Sequence, residues 1–104
     1  MENNDEKLVI RFNCLLRLIN KGDHNSFNKL HDVFKVLVES SAESMYSNIY
    51  EKNIFELEDL IQEIWLNLWV ELTKDHDPII LTKIVDLKTL VNKVTKKSLK
   101  TLTN

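Results

Sequence analysis

The chain has 104 residues, 43% of them apolar, and carries 14 Lys or Arg against 16 Asp or Glu for a net charge of −2; this suffices for one domain with a modest core and is too short for two. A single glycine and a single proline leave too few turn residues for a fold of many short strands, and point to helices joined by short loops. The lone cysteine excludes an internal disulfide, which makes a reducing cytoplasm the expected compartment.

No apolar run reaches membrane-spanning length. The acidic opening MENNDEKLVIRF lacks the basic segment and small-residue cleavage site of a secretory signal. The expectation is therefore a single all-α domain over residues 1–104, a compact bundle of about four helices with no membrane partner.

Leu8, Phe12, Leu15 and Ile19 step by four, three and four residues, which predicts a first helix from about Asp5 to Asn20. Gly22 supplies the left-handed residue that commonly ends a helix, and Asp23 or Asn25 can cap the next one. Cys14 is expected as a small buried apolar side chain.

Phe27, Leu30, Phe34, Leu37, Val38, Ala42, Met45 and Ile49 keep the helical spacing and predict a long, central second helix from roughly His24 to Tyr50. Val33 and Val36 lie off that stripe and suggest a second packed side. Asn53 followed by Glu56 resembles a capping box opening a third helix that ends near Thr73. Two long helices joined by a short loop pack as an antiparallel hairpin.

The third helix is two-sided. Leu57, Leu60, Ile61, Ile64, Trp65, Leu68 and Leu72 form its apolar stripe, whereas Asp59, Gln62 and Glu63 fall on another face, so the segment EDLIQEIWLNLW looks built to pack on one side and bind on the other. TKDHDP then breaks the periodicity. Pro78 disfavours a helical Asp77 and suits the first turn of a new helix, predicting a loop near Lys74 to Asp77 and a short helical turn from Pro78 to Ile84.

A final helix is expected from about Asp86, as its cap, to Leu102. At one hundred degrees per residue, Leu87, Leu90, Val91, Val94 and Leu102 gather on one side, and Lys88, Lys93, Lys96, Lys97 and Lys100 occupy the opposite half. Residues 1–82 hold eight Lys or Arg against fifteen Asp or Glu, −7, while residues 83–104 hold six Lys against Asp86 alone, +5. Such asymmetry suggests a polyanion-facing end on an acidic body.

Four pieces of this pattern, in order and spacing, resemble the region 2 domain of bacterial sigma factors, especially the extracytoplasmic-function and related divergent groups. They are INKGDHNSFNKLHDVF from Ile19 to Phe34, DLIQEIWLNLW from Asp59 to Trp69, the Asp77-Pro78 pair, and LKTLVNKVTKKSLKTL from Leu87 to Leu102, the last matching weakly. The resemblance implies that the helix around Asp59, Gln62, Glu63, Leu66, Trp69 and Val70 binds the clamp helices of the largest subunit of RNA polymerase. Carboxylates and an amide suit that role, since they accept charge-assisted hydrogen bonds from Arg and Lys.

The resemblance further implies that the last helix faces the minus-ten promoter element. Lys88, Lys93, Lys96, Lys97 and Lys100 would neutralise phosphates, and Asn92 would contact a base. Two departures qualify this. No aromatic residue follows Trp69, and Leu87 and Leu90 stand where the family usually has aromatics, so promoter melting by this chain alone is not expected. The helix-turn-helix of region 4 has no counterpart in these 104 residues, which leaves three readings open: an excised domain, a degenerate homologue, or a separate subunit working with a second chain that supplies region 4. An anti-sigma regulator is a further implied partner, and a sigma-like interaction module that binds a regulator or partner sigma subunit without touching DNA is the alternative.

Little else in the sequence suggests chemistry. His24, His31 and His76 show no metal-ligand spacing, and Asp75, His76 and Asp77 would hold a cation only weakly. With no phosphate-binding glycine loop and no recognisable nucleophile or carboxylate pair, neither an enzyme nor a cofactor is expected.

Overall fold

The computed structural model describes residues 4–49, 55–73 and 83–103. They form four helices, α1 (Asn4–Asn20), α2 (Asn25–Tyr46), α3 (Leu57–Thr73) and α4 (Ile84–Thr103), with no strand among the described residues. The domain is an all-α four-helix bundle in which every helix touches the other three. No described helix is long and apolar enough to cross a membrane.

α1 buries Val9, Phe12, Leu15, Leu16 and Ile19, and the Phe12 ring meets Phe34 of α2 edge-on at 5.6 Å. The helix stops in a Schellman arrangement. Gly22 takes φ +94°, its N–H donates to Ile19 O, and the Asp23 N–H reaches back to Leu18 O, so carbonyls left over at the helix end are satisfied. Position 14 corrects the expectation for cysteine. Cys14 is exposed because it shares the outward arc of α1 with Ile10 and Arg11, both also exposed.

α2 begins without the expected side-chain cap: His24 at the cap position makes no capping bond, and Asp23 instead accepts the Ser26 hydroxyl at 3.1 Å. Its end comes four residues before the expected Tyr50, which lies outside the described residues. Ser47 Oγ and Asn48 Nδ2 both donate to Ser44 O. Short polar side chains thus compete for a carbonyl of the last turn and favour a turn over further helix. Val36 is 73% exposed, so of the two off-stripe valines only Val33 packs against the core.

α3 and α4 start in the same way. Asp59 Oδ2 accepts the Glu56 N–H at 2.9 Å, and Asp86 Oδ2 accepts the Lys83 N–H at 3.2 Å. In each, the third helical residue reaches back to the capping residue, the returning half of a capping box, and places a carboxylate at the positive helix end. Asp86 was expected as the cap itself; α4 begins two residues earlier because Asp86 works from inside the first turn. The Asn53 cap and the turn from Pro78 lie outside the described residues, except Ile84, which opens α4.

The expected hairpin of α2 and α3 is antiparallel, as ring contacts along its length show. His24 and Phe27 at the start of α2 meet Trp69 near the end of α3 at 5.3 and 4.8 Å, His31 meets Trp65 at 4.3 Å, and Tyr46 meets Phe55 at 5.7 Å. Tyr46 also donates its hydroxyl to Phe55 O at 3.0 Å, closing the hairpin where the two helices connect.

At Gly22 a Cβ would meet nothing within 4 Å, so Gly22→Ala tests backbone strain alone. The expected cost is about 1 kcal/mol from forcing an L-residue into the left-handed region, with Gly22→Asn costing less. Urea denaturation with an unchanged m-value checks both.

Candidate interaction surfaces on α3 and α4

The rotation of α3 about its axis is fixed by burial. Leu60 and Ile64 are fully buried, with Leu68, Leu72 and Trp65 nearly so, and these side chains occupy one side of the helical wheel. What remains faces outward: Asp59 and Gln62 are exposed, Glu63 is half-buried, and Leu66 and Val70 are 57% and 43% exposed. Asp59, Gln62, Glu63 and Leu66 line one open cleft with Phe55 and with Leu102 near the end of α4. The residues singled out from sequence on α3 therefore do come together on one surface.

Two of them have a second occupation. Asp59 also caps α3 through the Glu56 N–H. Trp69 is half-buried, its ring held by His24 and Phe27, so only its edge is available. Beside it Trp65 is 8% exposed, and its buried Nε1 meets no hydrogen-bond acceptor among the described residues.

α4 is oriented by its opposite side. Leu87, Val91 and Val94 are buried, and Leu90 and Leu102 pack partly against the core. Lys88, Lys93, Lys96, Lys97 and Lys100 are all exposed, and none forms a salt bridge among the described residues. With Asp86 as its only acid, α4 presents a cationic half-cylinder. Leu87 and Leu90, which stand where the resemblance expects aromatics, serve packing here.

Sequence reasoning missed a polar seam that fixes α4 against its neighbours. Thr95 and Ser98 are fully buried. Ser41 of α2 donates its hydroxyl to Asn92 Oδ1 at 2.7 Å and lies 2.9 Å from Thr95 Oγ1, while Asn67 of α3 donates to Ser98 Oγ at 2.8 Å. The Thr95 and Ser98 hydroxyls also donate to the carbonyls of Val91 and Val94 in the preceding turn. The signal was in the spacing: Val91, Thr95, Ser98 and Leu102 continue the buried stripe, but polarity hid two of its members. Asn92 is exposed yet tethered by Ser41, which holds it at the rim of a shallow cleft beside Ser44 and Lys88.

No group of three or more His, Cys, Asp or Glu that could hold a metal occurs among the described residues. His24 and His31 lie against the two tryptophans, while His76, with Asp75 and Asp77, lies outside the described residues. A scan against protein-family models and searches of curated proteins and of solved structures find nothing that matches this chain.

The double duty of Asp59 and the depth of Thr95 predict a contrast. Asp59→Ala should cost about 1 kcal/mol by removing a cap, and Thr95→Val about 1–2 kcal/mol by leaving a buried hydroxyl partner short. Gln62→Ala, on an exposed site without such a bond, should stay within about 0.5 kcal/mol. Chemical denaturation of the three variants measures these differences.

Proposed function

We propose that this chain is a transcription initiation module of the sigma factor region 2 type, which docks on the clamp helices of the RNA polymerase largest subunit through α3 and meets minus-ten promoter DNA through α4. The observation that carries the reading is the outward arc of α3. Asp59, Gln62, Glu63, Leu66 and Val70 stand where the resemblance places the polymerase contact, on a helix whose other side is locked in the core. A polar cluster bordered by exposed apolar residues suits a docking surface, and its acidic character suits a basic coiled coil.

The α4 lysines support the second half. Cations aligned on one side of a helix neutralise phosphates by counterion release, which gives sequence-tolerant, salt-sensitive affinity. Within this reading Asn92 is the residue for a base edge, presented by its bond to Ser41. Within the same reading an anti-sigma regulator would act by covering one of these two surfaces.

One observation favours a second reading, a sigma-like module that binds a regulator or a partner sigma subunit without DNA contact. Leu87 is buried and Leu90 half-buried against the core, so α4 offers no stacking platform for melted bases.

Changing Gln62→Ala together with Glu63→Lys should weaken binding to polymerase core by about 100-fold, or about 2.7 kcal/mol, with the thermal melt little changed. Binding left intact by this double variant would remove α3 as the docking surface. Neutralising Lys93, Lys96, Lys97 and Lys100 to Gln should abolish promoter-directed transcription and flatten the salt dependence of DNA binding by a slope of about 0.7–0.9 per lost phosphate contact. Unchanged transcription would favour the second reading.

A further inference from the structure

The four-helix bundle leaves a second helix face uncovered. On α1, Lys7, Ile10, Cys14, Arg17 and Lys21 fall at steps of three, four, three and four residues and lie along one line of the helix surface. All five are exposed, Ile10 by 62%, and Lys21 still extends the helix through its N–H bond to Arg17 O. Leu18, 41% exposed, and Arg11 flank the line. The stripe contains no acid, although the chain as a whole is acidic.

The outward face of α3 has the complementary pattern. Read from its C-terminal end, Thr73, Val70, Leu66, Glu63 and Asp59 fall at the same steps of three, four, three and four. Both stripes cover fifteen residues, about 21 Å of helix from first to last. Set antiparallel, the two lines bring Ile10 opposite Val70, Cys14 opposite Leu66, Arg17 opposite Glu63 and Lys21 opposite Asp59. Four of the five positions then meet a partner of matching kind, two apolar pairs followed by two oppositely charged ones, and Lys7 falls opposite the exposed Thr73. A sustained three-four repeat is the spacing that lets two helices interlock side by side.

We propose that the α1 stripe is the docking site for the α3 face of a second copy of this chain, so that copies associate head to tail. The contact is heterologous: each copy offers one donor face and one acceptor face, and association continues beyond a dimer unless the geometry closes a ring. Two of these four pairs are ionic and solvent-accessible, which makes the contact weak, concentration-dependent and sensitive to salt. It also covers Glu63 and Leu66, so self-association and any other use of the α3 face exclude one another.

Sedimentation velocity on the isolated chain, without polymerase, tests the contact apart from the transcription reading. The expected result is a mass that grows with concentration at low salt and an association constant that falls by about ten-fold or more at high salt. Ile10→Glu and Leu66→Glu, both at exposed positions, should each give monomers with native circular dichroism. Mixed together they should form a 1:1 complex and nothing larger, because one intact interface survives. Under mild oxidation Leu66→Cys should yield a disulfide ladder extending past the dimer, and adding Cys14→Ser should stop the ladder at the dimer. A wild-type chain that stays monomeric at low salt, association that survives either glutamate variant, or cross-linking of Leu66→Cys that ends at a dimer would each overturn the proposal.

Discussion

The structure depends on how α3 is held. Leu60, Ile64, Leu68 and Leu72 are buried at one-turn intervals, and rotating the helix by even one residue's angle would swing Leu66 or Glu63 toward the core in exchange for apolar surface. Burying one such apolar side chain contributes roughly 1.5–3 kcal/mol, and four of them along one line make the rotation stiff. The ring contacts of Trp65 and Trp69 with His24, Phe27 and His31 add a second constraint from α2. The outward presentation of Asp59, Gln62 and Glu63 is thus a consequence of core packing.

α4 is fixed by different means. Its apolar stripe contains two hydroxyl residues, Thr95 and Ser98, and their bonds with Ser41 and Asn67 specify one angular setting against α2 and α3. Apolar packing alone tolerates rearrangement more readily than a buried hydrogen-bonded network, in which a slip leaves donors unsatisfied. The seam therefore holds the five lysines outward as a group. A helix designed only to fill the core would not need it.

Much of this was legible in the residues because apolar spacing reports directly on burial. The four helices, the antiparallel hairpin, the Gly22 terminus and the separation of α3 into a packed and an open side follow from periodicity and turn chemistry. Cys14 departs from the expectation because its residue type favours burial, whereas its place on the wheel beside Ile10 and Arg11 puts it outside. The start of α4 lies two residues before the expected Asp86 because Asp86 acts from the third helical position, and periodicity says nothing about which way a carboxylate reaches. The hydroxyl seam was invisible because a buried Ser or Thr resembles a surface residue until its partner, here on a distant helix, is known.

The open side of α3 remains the feature on which the functional account turns, and it is tested most directly by position-specific photo-cross-linking in the presence of RNA polymerase core. A photoreactive residue replacing Leu66 should label the largest subunit, whereas one replacing the still more exposed Val36 of α2 should not. Labelling of no polymerase subunit from position 66, or equal labelling from both positions, would contradict the account.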